Sequence, residues 1–230
     1  MFGTWFNAGM IVLGCLIGGR FKKGLDPGSQ EILMQAMGLA ASLLGISAVV
    51  QHLPESRYPV LFIVSLAAGG LLGEKMNLER RFETAITRYF KSGLGEGLAT
   101  AILLFCIGSL SILGPIEAAL NGNYSYLLTN GMLDGITSIV LASTFGTGIA
   151  VSALILVGWQ GAIYMLAKFA AGALNPDMLN EITIVGGILI FSSGLSILGI
   201  RKFKSMNLLP ALLGPPVFWA LLHTLEWLGM

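Results

Sequence analysis

Long apolar runs fill the chain of 230 residues and are parted only by short polar islands. Each island is long enough for a loop or a surface helix, but not for a domain. A bilayer core about 30 Å thick takes about 20 helical residues to cross, because only a helix satisfies its own backbone groups in lipid. Cut at that length, the chain predicts eight spans, near residues 3–19, 31–50, 58–73, 97–113, 132–147, 148–169, 182–200 and 208–228. The expected fold is all-α: a polytopic transmembrane helical bundle forming a single domain over residues 1–230. The weakest boundary is the fifth to sixth, where Gly146-Thr147-Gly148 is the only hinge and a re-entrant or broken pair is the alternative.

One polar island has a helical period of its own. Leu78, Phe82, Ile86, Tyr89 and Phe90 recur on one face, against Glu79, Arg80, Glu83 and Arg88. This predicts an amphipathic helix over 78–90, lying at the cytoplasmic interface.

Composition agrees with a membrane protein. Only 11% of residues are charged and 55% are hydrophobic, whereas soluble domains carry charge on about a quarter of theirs. The net charge of +1 says little, and no basic tract points to nucleic acid. Placement of the charges is more informative, since Lys and Arg collect in cytoplasmic loops. With eight spans and both termini outside the cytoplasm, the inner loops hold Arg20, Lys22, Lys23, Lys75, Arg80, Arg81, Arg88, Lys91, Arg201, Lys202 and Lys204. These are eleven of the thirteen basic residues, leaving Arg57 and Lys168. The first apolar run has no basic stretch before it and no small-residue cleavage site after it, so it reads as a retained helix. Cys15 and Cys106 sit in apolar runs without metal or redox spacing, and no cofactor is expected.

Internal similarity is visible. Leu110-Ser-Ile-Leu-Gly114 recurs as Leu195-Ser-Ile-Leu-Gly199, with a fainter copy at Ser42-Leu-Leu-Gly45, and the stretch 38–73 resembles 186–222 in opposite orientation. That is the pattern of an inverted repeat, although chance similarity in a chain so rich in Leu, Ser and Gly is the alternative. Among 31 glycines, Gly14/Gly18, Gly69/Gly73 and Gly131/Gly135 form small-xxx-small pairs. Such pairs let helix backbones approach closely, within or between subunits. Pro210, Pro215 and Pro216 interrupt the last span, leaving carbonyls that pack as a kink or line a path.

The ionisable residue that stands out is Asp134, which opens the fifth predicted span. A carboxylate at membrane depth costs about 2.5 to 3.5 kcal/mol on insertion scales and usually faces a cavity or partner. Thr137 and Ser138 share its helical face, and Ser143, Thr144 and Thr147 continue a polar line toward the glycine hinge. A helix cap near the outer interface is the alternative role for Asp134. Asn7, Ser109, Ser111, Ser196, Asn207 and Pro210 complete the candidate ion or solute path. Gln35, Gln160, Ser192 and Ser193 read as helix glue, and Glu96 and Glu117 as the ends of the fourth span. No metalloprotease, serine-hydrolase or phosphate-loop signature is present, so no enzymatic activity is expected.

Taken together, the Asn7 start, Leu133-Asp-Gly135, Ala142-Ser-Thr144, the Leu-Ser-Ile-Leu-Gly segments and Asn207-Leu-Leu-Pro-Ala211 resemble the prokaryotic family of unknown function called YdfK/YqgA-like. The resemblance covers essentially the full chain. It implies a bacterial or archaeal inner-membrane protein and supplies neither substrate nor catalytic residues. From the residues themselves, the expected function is a small secondary transporter or facilitator for an ion or small polar solute. The alternative is a non-transporting scaffold or assembly subunit. Expected partners are the lipid bilayer and a second copy of the chain, in a homo-oligomer with a dimer favoured.

Overall fold

The computed structural model describes residues 1–20, 26–89 and 94–227. Lys22, Lys23, Phe90 and Lys91 lie outside them. Every regular element among the described residues is helical: α1 (Phe2–Gly18), α2 (Pro27–His52), α3 (Leu61–Met76), α4 (Leu78–Tyr89), α5 (Leu94–Ile107), α6 (Ser109–Leu120), α7 (Ser125–Phe145), α8 (Ser152–Ala170), α9 (Pro176–Ile197), α10 (Ser205–Leu208) and α11 (Gly214–Trp227). Among the described residues, four helical stretches are long and apolar enough to cross a membrane: Pro27–Glu55, Thr147–Ala170, Pro176–Ile197 and Ser205–Leu225. The count reaches six if Leu61–Met76 with Leu78–Arg88, and Gly97–Ile107 with Ser109–Leu120, each form one bent span. The molecule is thus an all-α polytopic membrane protein. The remaining two of the eight expected crossings are α1, apolar but only 17 residues long, and α7, diluted by Asn130 and Asp134.

The helix breaks have local causes. Asn77 stops α3 in the left-handed conformation, φ 54°, which Asn tolerates better than other side chains with a Cβ. The expected fourth span is two helices, since the chain turns by 48° at Gly108 between α5 and α6. Pro115 follows within α6 and cannot donate to the carbonyl of Ser111. Gly146 ends α7 at φ 88°, a conformation that strains any residue with a Cβ. The prolines of the last span do not open it: Pro210 lies in the 3-10 turn Leu209–Leu213, and Pro215 and Pro216 occupy the first turn of α11. Ser205–Leu225 stays one helical stretch because the ladder tightens around the prolines, with the Leu209 amide donating to the carbonyl of Met206 and the Gly214 amide to that of Ala211.

By packing, the chain forms two compact units interleaved along the sequence. The first comprises Met1–Gly38 and Arg80–Ala171. Its core is built from Ile11, Cys15, Ile102, Phe105, Cys106, Ile149 and Leu156. Phe82 and Ile86, on the apolar face of α4, pack against this core, and the Phe82 ring lies 5.4 Å from that of Trp159. The amphipathic helix is therefore present, with its apolar stripe turned at least in part toward protein.

The second unit comprises Leu39–Glu79 and Gly172–Met230. In it, α2 runs antiparallel to α9, with Gly45 against Gly187 and Phe191 and with Ser42 against Gly194. Similarly α3 runs antiparallel to the last span, with Gly69 against Ala211 and Gly73 against Asn207.

All three small-residue pairs noted in the sequence serve packing inside the chain. A Cβ on Gly14 would lie 2.1 Å from the carbonyl oxygen of Gly135, and one on Gly73 would lie 2.0 Å from that of Asn207. The two copies of Leu-Ser-Ile-Leu-Gly occupy different places, since the first opens α6 after its break and the second closes α9.

Candidate functional site

In the first unit α1 and α7 lie side by side and run in the same direction: Gly3 meets Leu127, Gly131 meets Phe6 and Asn7, Gly14 meets Gly135 and Ser138, and Gly18 meets Ile139. Glycine on both helices permits this approach, and it brings polar side chains face to face. Asn130, Asp134 and Ser138 recur every four residues, a spacing that aligns them along one face of α7. All three are buried. Thr4 and Asn7 follow at i, i+3 on α1 and are both fully buried.

Asp134 does not open its helix. Because α7 begins at Ser125, nine residues earlier, Asp134 lies mid-helix, and the capping role is set aside. Its carboxylate accepts a hydrogen bond from Asn130 Nδ2 at 2.9 Å. The side-chain amide of Asn7 faces the same carboxylate without closing to hydrogen-bond geometry, and Asn7 Nδ2 and Oδ1 are both left without a partner. Thr4 Oγ1 and Ser138 Oγ are likewise buried and unpartnered. The Cys15 thiol faces Ser138, and Cys106 lies within electrostatic reach of Asp134. At the broken helix of the same unit Ser109 and Ser111 are fully buried, and Ser111 Oγ accepts from Gln160 Nε2 at 3.2 Å while Gln160 Oε1 has no partner.

A buried polar atom without a partner costs about 1–3 kcal/mol, so a row of them beside a carboxylate is a costly arrangement for packing alone. It is suited to receiving a small polar guest: the carboxylate provides charge, Asn7 provides one donor and one acceptor, and the hydroxyls provide both.

The rest of the expected line does not join this site. Thr137 is half-buried, while Thr144 and Thr147 are exposed. Ser143 and Thr144 turn their hydroxyls back onto the carbonyl of Val140, at 2.7 and 3.4 Å, as such residues do in helices that give them no other acceptor.

Ser196, Asn207 and Pro210 belong to the second unit, where they have structural work. Ser196 Oγ accepts from the amide of Phe203 at 3.0 Å and bonds the carbonyls of Ser192 and Arg201. Asn207 bridges two elements, with Oδ1 accepting from the amide of Glu79 at 2.8 Å and Nδ2 donating to Glu74 at 2.7 Å. Sequence reasoning passed over Glu181 in the same unit, a carboxylate 1% exposed. Its Oε1 accepts from the Ser56 hydroxyl and from the Tyr58 amide, and its Oε2 has no partner. Asn130 was also missed as a site residue, although its i, i+4 spacing to Asp134 is the signal that finds it.

A family model described as "Protein of unknown function (DUF554)" matches residues 2–220. The chain belongs to this family. Over 223 residues, 97% of each chain, it is 67% identical to the "Uncharacterized membrane protein YdfK" of Bacillus subtilis (strain 168). Over 222 residues it is 28% identical to the "Uncharacterized protein YqgA" of Escherichia coli (strain K12), covering 92% of this chain and 93% of that one. No solved structure matches. The resemblance drawn from the sequence motifs is thereby established, and membership of the DUF554 family brings no activity with it.

Proposed function

We propose that the protein is a small secondary transporter or facilitator of the prokaryotic inner membrane, and that an ion or small polar solute passes along the seam between α1 and α7. The supporting observation is the buried Asp134 carboxylate with Asn7 facing it, Ser138 one turn on along α7 and Thr4 one turn before Asn7 on α1, four side chains at 0 to 6% exposure with unpartnered polar atoms on three of them. A carboxylate can hold either a proton or a cation, so a single such residue can couple occupancy to proton exchange. The interruption at Gly108, half-buried and followed by the buried Ser109 and Ser111, supplies non-helical backbone within the protein, as the broken helices of transporters do.

Gradient dissipation by the purified full chain in sealed liposomes tests this reading. Protons, monovalent cations and small polar solutes are presented in turn, and at least one is expected to move faster than through protein-free vesicles. Protein-free rates for the whole panel favour the scaffold instead.

A further inference from the structure

The second unit contains a basic pocket that the transport reading does not use. After α9 the chain turns at Gly199, φ 72°, and runs irregularly through 201–204 before α10. This segment is pinned: Ser196 Oγ takes the amide of Phe203, and Lys204 Nζ bonds Glu74 Oε1 at 2.5 Å. Glu74 is held in turn by Asn207 at 2.7 Å. Between this segment and α3 opens a pocket of about 420 Å³, lined by Gly70, Glu74, Arg201, Lys202, Phe203, Lys204, Asn207 and Leu208. Three cations and one carboxylate line it. Lys204 is the partner of Glu74, and among the described residues Arg201 and Lys202 make no ion pair. Two cations are therefore uncommitted.

The surroundings of the pocket indicate the source of an anion. Ile200, next to Arg201, is 68% exposed, and Leu71, next to Gly70, is 74% exposed. A basic concavity with large apolar side chains beside it matches a phospholipid near the acyl boundary better than a freely dissolved ion. Arg meets phosphate oxygens with a planar fork of donors and Lys with a point charge, and basic pockets among membrane helices are a recurrent site for anionic headgroups. We propose that this pocket binds the phosphate of an anionic phospholipid, with Arg201 and Lys202 as its contacts and Lys204 with Glu74 and Asn207 as the brace that holds the segment in place.

The test uses the full chain purified in a mild non-ionic detergent. Its melting temperature is followed as phosphatidylglycerol or phosphatidylcholine is titrated in, and co-purifying lipid is read by native mass spectrometry. Phosphatidylglycerol is expected to raise the melting temperature and remain bound, and phosphatidylcholine to do neither. Arg201→Gln with Lys202→Gln is expected to melt as wild type in phosphatidylcholine. Its affinity for phosphatidylglycerol should fall about 30-fold, the equivalent of about 1 kcal/mol for each basic side chain. The exchange Arg201→Lys with Lys202→Arg should restore binding. The proposal is overturned if the Gln pair binds like wild type, or if Arg80→Gln with Arg81→Gln loses as much affinity, since either result means diffuse charge attraction. It is also overturned if glycerol phosphate reproduces the shift at the same concentration, which would identify a soluble anion as the ligand.

Discussion

At the residue scale, the burden of Asp134 and Asn207 differs, and substitutions separate them. Asn207 joins Glu74 to the amide that begins α4. Replacing it with Ala strands a buried amide, which costs about 1–3 kcal/mol, so Asn207→Ala should lower the melting temperature of the protein in detergent. Asn207→Asp keeps an acceptor for Glu79 but sets a carboxylate against Glu74, and should destabilise as well. A melting curve unchanged for both variants would show that the bridge is not formed. The importance of Asp134 was legible in the sequence because an acid in an apolar run has few cheap explanations. Its depth was not, because the helix start at Ser125 lies in a polar stretch that hydropathy alone reads as loop. The hydroxyls at 143, 144 and 147 misled for a related reason: spacing places them near one line, but only tertiary packing decides which part of α7 is covered.

At the element scale, the α1–α7 seam depends on glycine. A Cβ on Gly14 or Gly18 would lie 2.1 or 2.3 Å from a backbone carbonyl oxygen of α7, whereas one on Gly9 would meet nothing within 4 Å. Gly14→Ala and Gly18→Ala should each destabilise by about 1–3 kcal/mol, the usual cost of overpacking a close contact. Gly9→Ala should be neutral or mildly stabilising, since Ala is the better helix former. Thermal melts of the three variants in one detergent give the ranking, and equal losses for all three would mean the seam is not closed as described. The small-xxx-small pattern announced tight packing, but not which partner it serves. Here each pair meets a helix of the same chain, so these glycines do not support a dimer. The break at Gly108 was hidden because 97–113 is apolar throughout, and nothing in hydropathy distinguishes a straight helix from a bent one.

At the scale of the whole molecule, the membrane class was readable from scarce charge and long apolar runs. The division into two interleaved units was not, since it depends on contacts between residues far apart in sequence, such as Gly45 with Gly187. Orientation is expected from the basic residues, which place Arg80 and Lys202 in the cytoplasm and both termini outside. Fusions of paired reporters, one active only inside and one only outside, should report an external C-terminus, and an internal one would require an odd number of crossings. The central claim is that Asp134 carries the transported ion or its coupled proton. Its most direct test is uptake into liposomes by wild type and Asp134→Asn at matched, correctly inserted protein, across a range of pH. Asn retains the size of the side chain and an acceptor for Asn130, so the variant should fold and melt like wild type while its flux falls to the protein-free rate. Wild-type flux from Asp134→Asn at every pH would contradict the account.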